Sequence, residues 1–130
     1  MTRKEALSEL IAKVEAGHDW SQVSGTLTMH ALGMDHVAIF GKALDGSLDA
    51  AKALHEAVLP GWSATVDMLG GCDMFSECGD DEWEWRITET CADSPTRAWL
   101  LAILRTLHAL EGGDFPAPRR PVFRSVRAAP

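Results

Sequence analysis

The sequence predicts an α+β domain in which a short antiparallel sheet of about three strands packs against helices. Three observations predict it. Apolar residues recur at helical spacing in three separate stretches, near 2–16, 47–59 and 94–111. Between the second and third stretches the spacing changes from helical to alternating. The turns between the alternating runs are short, which favours antiparallel pairing of successive strands.

The first stretch opens on Thr2 and Glu5, which have the spacing of a capping box. Leu7, Leu10, Ile11 and Val14 then form one apolar stripe, and Gly17 sits where a helix ends. Residues 18–46 lack a clean period. Trp20, Val23, Leu27, Met29 and Leu32 are interrupted by Gly25 and Gly33, so irregular structure with one short helix near 36–43 is expected. Ser47 is a good N-cap for the second clear helix, with Asp49 in its first turn. Ala51, Leu54, His55 and Val58 share one side of that helix, and Pro60-Gly61 stops it.

Trp62, Ala64, Val66 and Met68 then alternate with Ser63, Thr65 and Asp67, the pattern of a half-buried strand. Gly70-Gly71 marks a turn, and a second strand is expected over Cys72–Cys78. After Gly79-Asp80-Asp81, the residues Trp83, Trp85 and Ile87 alternate with Glu82, Glu84 and Arg86 in a third. Ser94-Pro95 opens the last helix, with proline at the first helical position. Its apolar arc, from Ala98 and Trp99 to Leu107, is wide enough to predict the most buried helix of the protein.

With 130 residues, 46% of them hydrophobic, the chain suits one domain with a packed core. That domain is expected over 1–111. The segment 112–130 carries Pro116, Pro118, Pro121, Pro130 and four arginines and is expected to be a disordered tail. No apolar run approaches the ~18 residues a membrane helix needs. The start MTRKEALSEL lacks a signal-peptide core, so a cytoplasmic protein without membrane contact is expected.

The net charge is −7, which disfavours direct binding to nucleic acid by the whole surface. The charge is concentrated. Between Asp73 and Asp93, eight acids stand against Arg86 alone.

The run Gly46–Trp62, GSLDAAKALHEAVLPGW, resembles the central motif of the phage alpha/beta/alpha sandwich domain family. In that family of small phage and prophage proteins, a helix beginning SLDAA leads through PGW into a strand. Ser94–Arg105, SPTRAWLLAILR, is similar to the proline-led helix that closes the family's domain, and Glu5–Val14 fits its first helix. The resemblance covers roughly residues 3–110. It implies phage origin, a bacterial host cytoplasm and an alpha/beta/alpha sandwich, and it supplies no catalytic residues. The chain departs from the pattern in its longer middle segment, its acidic strands and its arginine tail.

The acidic strands are the leading candidate site. Asp73, Glu77, Asp80, Asp81, Glu82 and Glu84 form a surface that would steer a host or phage protein with a basic face. Solvated edge charges that discourage aggregation are the plainer account of the same residues. Cys72, Cys78 and Cys91 read as small reduced thiols, because structural zinc sites use tighter cysteine pairs. His30 and His36 flank Asp35, yet no nucleophile motif, phosphate loop or HExxH helix accompanies them. No catalytic residue, metal or cofactor is therefore assigned. Trp20 is the best candidate for an exposed ring, while Trp62, Trp83 and Trp85 fit a core.

The expected function is that of a non-enzymatic phage or prophage accessory protein. It would bind a protein partner through the acidic strands, as an inhibitor of a host defence or nucleic-acid-handling complex would. Two alternatives stand beside it. One is a nucleotide-binding or sponge protein with a pocket between helices or at a dimer interface. The other is a phage assembly component that forms a homo-oligomer through tryptophan and leucine surfaces.

Overall fold

The computed structural model describes residues 1–77, 84–90 and 94–112. Among these residues, five α-helices surround a core and support a sheet: α1 Arg3–Glu15, α2 Gly25–Leu32, α3 Val37–Leu44, α4 Leu48–Val58 and α5 Pro95–Gly112. Strands β1 Ser63–Asp67, β2 Gly71–Glu77 and β3 Glu84–Thr90 pair antiparallel in the order β1-β2-β3. The protein belongs to the α+β class. Among the described residues, no helix is long and apolar enough to cross a membrane.

The helix ends follow from local chemistry. Thr2 and Glu5 close the capping box at the start of α1, each accepting the other's backbone N–H. At its end, Gly17 N–H donates to Val14 and His18 N–H to Lys13, with Gly17 at φ 84°. That paired closure needs a left-handed residue, which glycine adopts without strain. The same closure ends α3, where Gly46 donates to Ala43 and Ser47 to Lys42. Ser47 then caps α4 through Oγ, 3.1 Å from the Ala50 nitrogen, so only Asp45-Gly46-Ser47 connects α3 to α4. Ser94 caps α5 in the same way, accepting from Arg97 N–H at 3.1 Å.

The middle segment is more regular than its sequence suggests. Where irregular structure with one short helix is expected, α2 and α3 both form, with a single turn of 3₁₀ helix at Trp20–Gln22 before α2 and another at Met34–His36 between α2 and α3. Ser24 caps α2, and Leu27, Thr28, Ala31 and Leu32 bury one side of it. The Arg3 Nε–H donates to the Ala31 carbonyl at 2.9 Å, which binds the last turn of α2 to α1. Glycine lowers intrinsic helicity in this segment, and these tertiary contacts override it.

Helix α5 is the centre of the fold. Ala98, Leu100, Leu101, Ala102, Ile103, Leu104, Thr106 and Leu107 are all buried. It packs against α1 on one side and all three strands on the other. Leu7, Leu10 and Val14 of α1, Phe40 of α3 and Leu54 of α4 complete a single cluster with it. Arg97 holds the end of α1 from α5, donating to the carbonyls of Val14 at 3.3 Å and His18 at 2.7 Å.

The sheet presents one face to this core. Cys72 and Met74 are buried and Ala64 and Val66 half-buried, while Ser63, Thr65, Asp67 and Thr88 are exposed. The sheet packs mainly on α5, with Ala64 of β1 also bordering α4, and the opposite face is exposed at those four residues. Strand β1 stops at Asp67, short of the alternation that ran on to Met68. The Asp67 carboxylate accepts the Leu69 N–H at 2.8 Å and its carbonyl accepts from Gly70, turning the chain. Gly71 falls inside β2, opposite Asp67 and Thr90, so the glycine pair is divided between turn and strand.

Candidate partner-binding surface

The β2–β3 ladder positions the acidic residues. Its register sets Glu77 opposite Glu84, Phe75 opposite Arg86 and Asp73 opposite Thr88. Thr65 of β1 lies on the other side of Asp73. The Thr88 hydroxyl donates to Asp73 Oδ1 at 2.6 Å, so this carboxylate takes part in a cross-strand hydrogen bond. Asp73 and Glu77 are four positions apart along β2, about 13 Å at the strand rise. Of the six sequence-predicted site residues, the described structure therefore brings Glu77 and Glu84 together and sets Asp73 apart. Asp80, Asp81 and Glu82 lie outside the described residues, as do Trp83, Cys78, Cys91 and the tail 113–130.

His30 lies exposed on α2 and Asp35 is exposed in the following 3₁₀ turn, and no hydrogen bond joins His30 or His36 to Asp35. Among the described residues, no group of three or more histidines, cysteines, aspartates or glutamates is arranged to hold a metal. Cys72 is a core residue.

Trp20 is placed differently from its expected role as an exposed ring. It is half-buried, packed edge-on against Phe40 with ring centroids 6.1 Å apart. Its indole also lies over Gly41. A Cβ at that glycine would come within 2.8 Å of the ring, so the absence of a side chain at 41 is what admits the tryptophan.

Sequence patterns placed His55 on a packing face of α4 and gave no sign of its bonding. Its Nε2–H donates to the Trp62 carbonyl at 2.8 Å, and its Nδ1 accepts the Trp99 indole N–H at 3.1 Å. This pair of partners selects the neutral ring with its proton on Nε2. The three residues tie α4, the entry to β1 and α5 together. A shallow groove of about 220 Å³ opens beside them, lined by Lys52, His55, Glu56, Ala64 and Trp99. A second groove of about 450 Å³ runs between α1 and α2, lined by Glu9, Lys13, Ser24, Thr26, Leu27 and His30 together with Met1.

Two exposed carboxylates are held below the usual range by local hydrogen bonds. Glu5 is lowered by the Thr2 backbone N–H and then its hydroxyl, and Asp19 by the Ser21 hydroxyl. Both serve helix starts outside the acidic strands.

No family model matches the chain, and no curated protein or solved structure matches it either.

Proposed function

We propose that this is a non-enzymatic accessory protein of phage or prophage type that binds a basic protein partner through its acidic strands. The in-register opposition of Glu77 and Glu84 carries the reading. Like charges directly opposed in an antiparallel pair are destabilising by a few tenths to about 1 kcal/mol. Here the opposed pair lies in a stretch where eight acids meet one base. A basic surface docking on that end of the sheet would offset the like charge that the register places there. The resemblance of Gly46–Trp62 to the phage sandwich family supports the same assignment. A host defence or nucleic-acid-handling complex, built to hold polyanions, has the basic surface required.

Affinity capture from host lysate at low and moderate salt tests this, with a variant reversing Asp80, Asp81, Glu82 and Glu84 to lysine in parallel. A partner released both by salt and by charge reversal is the expected result. A partner indifferent to both would remove the acidic strands from the account.

The groove between α1 and α2 favours a second reading, a nucleotide-binding or sponge protein. Its size falls in the range of small-molecule sites, and Lys13, His30, Ser24 and Thr26 offer a cation and hydroxyls to a phosphate. A thermal-shift panel of nucleotides decides it: one strong stabiliser supports the pocket, and a flat response at millimolar concentration counts against it.

A further inference from the structure

We propose that β1 is the pairing edge of a two-fold homodimer, in which a second copy of this chain adds its own β1 antiparallel about Thr65 and joins the two sheets into one. This inference does not rest on the acidic-strand reading.

Strand β1 is an end strand of the sheet. Its inner side pairs with β2. Among the described residues, no further hydrogen bond engages Ser63–Asp67 except that Asp67 closes its own turn. Alternate residues of an end strand leave their N–H and C=O groups pointing outward, a ready template for another strand. Proteins usually guard such edges with lysine, proline or a bulge. The run Ser63-Ala64-Thr65-Val66-Asp67 contains neither residue, and its register with β2 is unbroken.

The occupant is a second copy because β1 is complementary to itself. A two-fold at Thr65 sets Thr65 against Thr65, Ser63 against Asp67, and Ala64 against Val66. No carboxylate faces another, and Thr–Thr is a favourable cross-strand pair. Val66 of the second copy falls beside Ala64, a wall of the groove formed with Lys52, His55, Glu56 and Trp99. The same register brings Met68 of one copy level with Trp62 of the other. Met68 is 73% exposed, although it continues the apolar alternation of β1. A thioether against an indole is a favourable contact.

Charge is compatible with this pairing. The antiparallel two-fold puts the Glu77–Glu84 ends of the two copies about eight residues apart along the strands, roughly 27 Å. That exceeds the screening length at physiological salt, about 8 Å. A five-residue edge, about 17 Å long, is at the small end of specific interfaces, so a weak, concentration-dependent dimer is expected.

Sedimentation velocity of the full chain, from micromolar to millimolar concentration, tests the proposal. The wild type is expected to pass from monomer to dimer, with added salt leaving the dimer intact. Thr65→Lys or Thr65→Glu alone should weaken association roughly fivefold or more, because each sets like charges across the axis. An equimolar mixture of the two should recover it. Met68→Ser, in an exposed turn outside the strand, should also weaken the dimer without altering circular dichroism. A wild type that stays monomeric throughout, a dimer indifferent to both Thr65 variants and Met68→Ser, or a mixture of folded variants that fails to recover would overturn the proposal. Salt separates this edge from the acidic strands, since partner capture through carboxylates weakens as salt rises and β1 pairing does not.

Discussion

Between the helices, the buried hydroxyls of Thr28 and Thr106 close onto carbonyls one turn back, at 3.1 and 2.7 Å. Across the sheet, Ser63, Thr65, Asp67 and Thr88 face solvent, and two glutamates stand opposed in the ladder. The first region is arranged for its own stability. The second sets like charges in register and has β1 as an end strand. That difference is what the proposed docking role of the sheet rests on: the helices hold the core together, and the sheet carries the opposed acids.

The contrast can be broken most forcefully inside the scaffold. Phe40 is fully buried at the centre of the cluster, and Phe40→Ala should cost about 3–5 kcal/mol in denaturant unfolding. A loss below about 1 kcal/mol would mean the helices are not the stable half.

Next comes His55→Leu. It strips the Trp62 carbonyl of its donor and the Trp99 indole of its acceptor, and should cost about 2–4 kcal/mol, with a changed tryptophan emission spectrum.

Gly41→Ala drives a methyl group into the Trp20 ring and should cost about 1–3 kcal/mol. In a Trp20→Ala background the same change should be nearly neutral, a coupling readable by a double-mutant cycle. Additive effects would return Trp20 to the role of a free aromatic platform.

On the sheet the sign reverses. Glu84→Gln should leave stability unchanged or raise it by up to about 1 kcal/mol, because it removes a like-charge opposition. A clear loss would show that Glu84 has a stabilising partner and weaken the case for a docking surface.

The smallest effect belongs to Glu5. Its carboxyl is lowered on folding, so its contribution is fully present above the ordinary carboxylate range and is lost as pH falls through the lowered value. Glu5→Gln should flatten that acid limb slightly in pH-dependent melting and leave neutral-pH stability nearly unchanged.

How much of this was legible in the sequence depended on the range of each contact. The capping box of Thr2 and Glu5, the caps at Ser47 and Ser94, and the stripe Leu7–Leu10–Ile11–Val14 are local, and each stands where its spacing put it. Helix α2 was illegible because glycines flank a short segment, and its support comes from Arg3, 28 residues away. The seat of Trp20 depends on a missing side chain at Gly41, a relation no periodicity encodes. The bonding of His55 joins residues 7 and 44 positions apart, so its packing face could be read but its partners could not. For the acidic site, composition gave the concentration of charge. The ladder added that Glu77 meets Glu84 and that Asp73 is occupied by Thr88.

The central position of α5 has a consequence for synthesis. On the ribosome, the chain for α1 to α4 and the sheet is made before α5 is released, yet α5 is the surface on which α1, α3, α4 and the three strands converge. Until it emerges, Leu7, Leu10, Phe40, Leu54 and Met74 lack the partner that covers them. A message truncated before codon 95 would yield a sticky, protease-sensitive product instead of a smaller folded one. Cells expressing such a fragment should clear it rapidly or deposit it in inclusion bodies, whereas the full chain accumulates.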